Sequence, residues 1–267
     1  MSLLEVLEPD ASREIAVIYG ELRAATGMPI VNLIWRHLAA LPGVLTSAWA
    51  TVRPVIGSAV LVGGVEQLEM TVLRDAGDAI TLFPSISEEA LAVVETYNRG
   101  NCINLQVLTA LRRALAGEAV GNGELLPAAQ PLPRLPEVPP MPRMEALDSR
   151  ARTIVLDLAA LHDAAKTGVV PSLYRHLALW PSLLPELYAA CARLVSDGVI
   201  QRARQALLVE AHTISSRLLP SLRRSNDFPQ SQRPAALAAL DTFTGSLIAE
   251  MTVIGLFLRA AALGERL

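Results

Sequence analysis

Along most of this chain apolar residues recur at three- and four-residue steps, the period of an α-helix with one buried face. The pattern predicts helices over 14–26, 30–41, 88–116, 154–165, 183–194, 199–218 and 234–263. Ser85 and Ser87 before Glu88 are a start signal, and Gly117 is a stop. Alternation of period two is scarce. "DAITLF", ending at Phe83, is the best strand candidate and stands alone, while Gly63-Gly64 reads as a turn or a helix end. The expected class is all-α.

Between Leu126 and Met144 the texture changes to "LPAAQPLPRLPEVPPMPRM", whose seven prolines exclude helix and favour extension. This stretch divides the chain into similar halves, 1–120 and 150–267, joined by a linker at 121–149. Two segments recur across it. "IWRHLAALPGVL" at Ile34 matches "LYRHLALWPSLL" at Leu173. "ALAVVETYNRGNCINLQVLTALRRALA" from Ala90 then aligns without gaps on "ALAALDTFTGSLIAEMTVIGLFLRAAA" from Ala236, with Thr96, Val107 and Arg113 among the identical positions. Two matches in the same order predict a tandem duplication. The two helical bundles would bury one apolar face against each other as an intramolecular pseudo-dimer.

One stretch breaks the apolar texture. "YNRGNCINLQ", from Tyr97 to Gln106, holds three asparagines, a glycine and a glutamine inside a predicted helix, and asparagine is a poor mid-helix residue. Where the first copy has Asn98, Arg99, Gly100, Asn101 and Cys102, the second has Thr244, Gly245, Ser246, Leu247 and Ile248. Either the first copy turns a solvated face outward here, or it carries polar groups into an asymmetric pocket between the copies.

Composition narrows the classes. At 52% apolar and 18% charged, with mean hydropathy +0.38, the chain must bury wide internal or subunit interfaces. The most apolar run, from Met251, contains Arg259 and falls short of the roughly 20 residues that span a bilayer. No leader pattern opens the chain, so a cytoplasmic protein without a membrane partner is expected. A net charge of −3 gives no basic footprint for nucleic acid. Cys102 and Cys191 form neither a disulfide framework nor a metal clip, the four histidines lack ligand spacing, and no phosphate-binding or nucleophile-elbow motif occurs. Neither metal nor cofactor is expected. His37 and His176 recur together with their arginines, which suggests a structural role, and Trp35, Tyr174 and Trp180 read as packing. Assembly into a homodimer is left open.

The blocks "TGMPIVNLIWRHLAALPGVLTSAWA", "VETYNRGNCINLQVLTALRRAL", "LALWPSLLPELYAACARLV" and "SLIAEMTVIGLFLRA" resemble those of the group I, non-stereospecific D,L-2-haloacid dehalogenases, within the wider alkylhydroperoxidase D-like helical group. The resemblance implies two repeated helical halves with one site between them. It also implies hydrolytic displacement of halide from a short 2-haloalkanoic acid, with an aspartate as general base on water. Asn101 matches the family asparagine that holds water or substrate. Ile30, Leu33, Ser172 and Leu173 are expected around it. The position of the base falls on Leu173, and a leucine cannot take a proton. Asp163 and Glu250 are the candidate substitutes, Glu250 because it sits within an apolar helical stripe. The chain therefore reads as an impaired dehalogenase relative. The alternatives are a non-catalytic protein binding a small carboxylic acid or a partner on the same fold, and hydrolytic or lyase chemistry on an unrelated substrate.

Overall fold

The computed structural model describes residues 3–74, 76–162, 168–224 and 227–264. They form eleven α-helices and no strand; the only β-type pairings among them are isolated bridges, Ser58 to Ala128 and Asn122 to Arg223. In chain order the helices are α1 (Arg13–Thr26), α2 (Leu33–Ala40), α3 (Val44–Val52), α4 (Ala59–Leu73), α5 (Glu88–Leu115) and α6 (Ser149–Ala160). They continue with α7 (Ser172–Leu177), α8 (Leu184–Ser196), α9 (Val199–Leu218), α10 (Arg233–Thr242) and α11 (Ile248–Leu263). A π-helical turn, Phe243–Leu247, joins α10 to α11.

The centre of the molecule is α5. Its start is capped by Ser87, whose side chain accepts from the Ala90 amide, and its acidic first turn and basic last turn complement the helix dipole. It packs against α11, α4 and α9, and α4 packs in turn on α9. These partners are far apart in sequence, so the core closes only when both ends of the chain come together. Gln230–Leu263 is long and apolar enough to cross a membrane, longer than the run from Met251 suggests. Yet 72% of its most apolar window is buried inside the protein, where it contributes to the core.

Two local expectations are corrected. Residues 77–82 form a 3-10 helix (Gly77–Leu82) rather than a strand: Gly77 has φ +48°, and the Thr81 hydroxyl donates to the Asp78 carbonyl at 2.7 Å, closing a turn that no neighbouring strand could replace. Gly63-Gly64 lies inside α4, because the glycine is needed for contact: a Cβ on Gly64 would sit 2.0 Å from Gln106 Oε1. Helices α3, α4 and α7 lie outside the predicted spans: α3 and α7, flanked by proline and glycine, carry too few turns for the period to show, and the glycine pair interrupts it in α4.

Gly64 is one of three glycines that receive a buried carboxamide. A Cβ on Gly255 would lie 2.0 Å from Asn98 Oδ1, and one on Gly100 would lie 2.8 Å from Asn32 Oδ1. The Asn98 amide also donates to the Gly255 carbonyl at 3.1 Å, tying α5 to α11. Asn98, Asn101, Asn104 and Gln106 are all buried, so the polar stretch of α5 is interior and not a solvated face. Cys102 and Cys191 are buried free thiols, and burial pushes both pKa values upward, that of Cys191 to about 12.

The proline-rich segment is extended, as the prolines require, and fastened by backbone contacts. Ala59 donates to Pro127 O at 2.8 Å, Ala129 to Gly57 O at 3.0 Å and Leu135 to Gly27 O at 2.8 Å. At its start a Cβ on Gly121 would stand 1.7 Å from the Pro220 carbonyl oxygen. Gly121→Ala is therefore expected to destabilise the protein by about 1–3 kcal/mol, because backbone must shift on one side. Urea denaturation checks this; a loss near zero would mean the segment is loosely attached.

Candidate functional site

A cavity of about 40 Å³ lies where α2, α5 and α7 meet the Phe243–Leu247 turn and the start of α11. Its lining is mixed in character. Asn32, Tyr97, Asn101 and Asn104, all from the first half of the chain, supply most of the polar lining. The second half contributes Ser172 and then Pro171, Leu173, Phe243, Leu247, Ile248 and Met251, with Leu33 and Ile34 of α2 completing the apolar lining. The cavity thus combines hydrogen-bonding and apolar lining, suited to a small amphipathic molecule.

Several of its polar atoms lack partners. Asn32 Oδ1, Asn104 Nδ2 and Ser172 Oγ are buried without a hydrogen bond. Buried polar groups are paired in most proteins, so a cluster of three around one cavity points to an occupant, whether water or ligand. Asn104 is oriented by its neighbour: the Trp35 indole N–H donates to Asn104 Oδ1 at 2.8 Å, which turns Nδ2 away. Tyr97 meets His176, with Oη 3.3 Å from Nδ1 and the rings edge to face, and His176 Nε2 meets the Pro139 carbonyl at 2.7 Å. Burial raises the Tyr97 hydroxyl to about 12 and holds the His176 imidazole below its usual range. The Ser172 hydroxyl lies near enough to Tyr97 to favour its ionised form, without completing a well-formed hydrogen bond.

Of the residues that the sequence pointed to, Leu33, Asn101, Ser172 and Leu173 meet around this one cavity. Ile30 packs at the edge of the core and does not line it. Asp163 lies outside the described residues. Glu250 is buried behind the wall, one residue from the lining Met251. Its Oε2 accepts from His162 Nδ1 at 2.8 Å, its Oε1 pairs with Arg204, and His162 Nε2 meets the Tyr174 hydroxyl at 2.7 Å. Among the described residues no carboxylate lines the cavity. Sequence reasoning missed Asn32, Tyr97 and Asn104 as lining residues. The polar stripe contained two of them, but nothing in the spacing said which asparagine would face inward.

No family model and no curated protein matches this sequence. Solved structures do. A D-2-haloacid dehalogenase mutant in complex with D-2-CPA superposes with a TM-score of 0.82 at 18% identity, covering 97% of this chain and 95% of that one. The chain has the fold of D-2-haloacid dehalogenase. A second mutant structure gives a TM-score of 0.77 at 19% identity, covering 97% and 94% of the two chains. A D-2-haloacid dehalogenase complex with L-LA gives 0.79 at 19% identity, covering 96% and 95%. The likeness runs the length of both chains.

Proposed function

We propose that this protein is a group I-like relative of the 2-haloacid dehalogenases, built by duplication, that holds a short 2-substituted carboxylic acid in its central cavity without the carboxylate needed to hydrolyse it. The observation that carries the reading is the composition of the cavity. Unpartnered amide and hydroxyl groups lie among apolar lining, and leucine occupies position 173, where the resemblance places the base. The matched structures include complexes with D-2-CPA and L-LA, which supports a small acid as the ligand class.

The lining supports the duplication. Residues 32, 33 and 34 align with 171, 172 and 173, and residues 97 and 101 align with 243 and 247, so much of the cavity consists of counterpart positions. Trp35 and Asn104, joined directly in the first half, correspond to Tyr174 and Glu250, joined through His162 in the second. A pseudo-two-fold relation through the cavity accounts for both.

Lactate or 2-chloropropionate is expected to raise the melting temperature. A ligand at 100 times its Kd stabilises by about 2.7 kcal/mol. The same protein should release no chloride from D- or L-2-chloropropionate. Absence of any stabilisation would overturn the binding site, and robust chloride release would show that a base reaches the cavity.

A further inference from the structure

This inference rests on the small-acid reading above and narrows the ligand. The hydrogen-bond character of the cavity is fixed from behind its walls. Because the Trp35 indole can only donate, Asn104 Oδ1 is committed to it, and the amide NH₂ is left as a donor with no partner. The Pro139 carbonyl can only accept, so His176 Nε2 carries the imidazole proton. The buried ring is neutral, which leaves Nδ1 bare to take the proton of the Tyr97 hydroxyl. Tyr97 therefore has lone pairs, and not its proton, to offer to anything else. Asn32 Oδ1 is a second acceptor, buried and unpartnered.

We propose that the cavity selects a two- or three-carbon 2-hydroxy acid over the corresponding 2-halo acid. The carboxylate accepts from the Asn104 amide and the Ser172 hydroxyl. The hydroxyl at C2 donates to Tyr97 Oη, and Asn32 Oδ1 is a further acceptor on the lining. The short alkyl part lies on Leu173 and Met251. A halogen at C2 has no proton to give and would leave the Tyr97 oxygen facing its own lone pairs. A cavity of about 40 Å³ agrees with a ligand of only a few heavy atoms.

Titration calorimetry on the whole chain with glycolate, chloroacetate and glycolamide tests the assignment. Glycolate is expected to bind about 10- to 100-fold more tightly than chloroacetate, the usual penalty for leaving a buried acceptor unpaired. Tyr97→Phe removes one acceptor and should shrink that ratio, whereas packing damage would weaken both acids together. Chloroacetate binding as tightly as glycolate would overturn the selectivity and leave the small-acid site standing. Binding of neither acid would overturn both readings. Glycolamide binding more tightly than glycolate would replace the acid by a neutral amide as the ligand class and overturn the proposal. If Tyr97→Phe does not fold, the wild-type ratio decides alone.

Discussion

Leu173→Asp is expected to give the protein a chloride-releasing activity on 2-chloropropionate that the parent lacks. Leu173 is 1% exposed and lines the cavity beside Ser172, so an aspartate there places a carboxylate where a bound acid and a water would meet. General-base assistance of this kind is worth roughly 10²- to 10⁴-fold in rate. Leu173→Asn, similar in size but unable to accept a proton as a base, is the control and should show no gain. The apolar wall of Leu247, Ile248 and Met251 would desolvate the new carboxylate and raise its pKa. Two pH effects follow, with opposite sign. The base works when deprotonated, so the rate should rise with pH through the raised pKa. The native state, however, binds that proton more tightly than the unfolded chain does. Stability should therefore fall as pH rises from the ordinary aspartate range to the shifted pKa. A folded Leu173→Asp protein that binds lactate but releases no chloride would sink this account, because it would mean that the water position has been lost as well.

Glu250→Ala is expected to be the most destabilising single change tested, at about 3–5 kcal/mol in urea unfolding, the usual effect of removing one member of a buried ionic cluster. The Glu250 side chain is 5% exposed, and it holds His162 from the end of α6 and Arg204 from α9 against α11. Without the carboxylate both lose a partner, and His162 loses the acceptor that orients it toward Tyr174. Burial already pushes the Tyr174 hydroxyl pKa well above its usual range, so the phenol cannot offset the loss by ionising. Glu250→Gln should lie between, since it keeps the shape and one acceptor. A loss below about 1 kcal/mol for the alanine variant would place the cluster in the class of solvated surface pairs.

Helices α5, α9 and the span from α10 to α11 were legible because they repeat their apolar positions over many turns, whereas the glycine pair hid α4. The 3-10 segment at residues 77–82 was not, since alternation in six residues cannot be told from a tight turn without knowing whether a strand lies beside it. The site divides in the same way. Asn101, Ser172 and Leu173 came from aligned blocks. Tyr97 becomes meaningful only once His176 and the Pro139 carbonyl are seen behind it, contacts 79 and 37 residues long. Glu250 shows the limit most clearly. A carboxylate in an apolar helix signals something unusual, but one position along the chain separates the cavity lining at Met251 from a closed ionic cluster.

The carboxamides seated on glycines have a consequence for how this sequence can change. Asn98 over Gly255 and Gln106 over Gly64 each fill the space that a methyl group would occupy, and Asn32 shares that space over Gly100 with Met28. Neither member of a couple can be exchanged for a larger or apolar residue while the other stays. A new Cβ meets the amide, and a lost amide leaves a void above a bare backbone. Drift at the four sites of the Asn98–Gly255 and Gln106–Gly64 couples is thus confined to paired replacements, such as alanine at the glycine together with a shorter side chain opposite. Divergent chains of this fold should carry either both original partners or neither, a signature of correlated descent linking helices that the gene encodes as much as 157 residues apart.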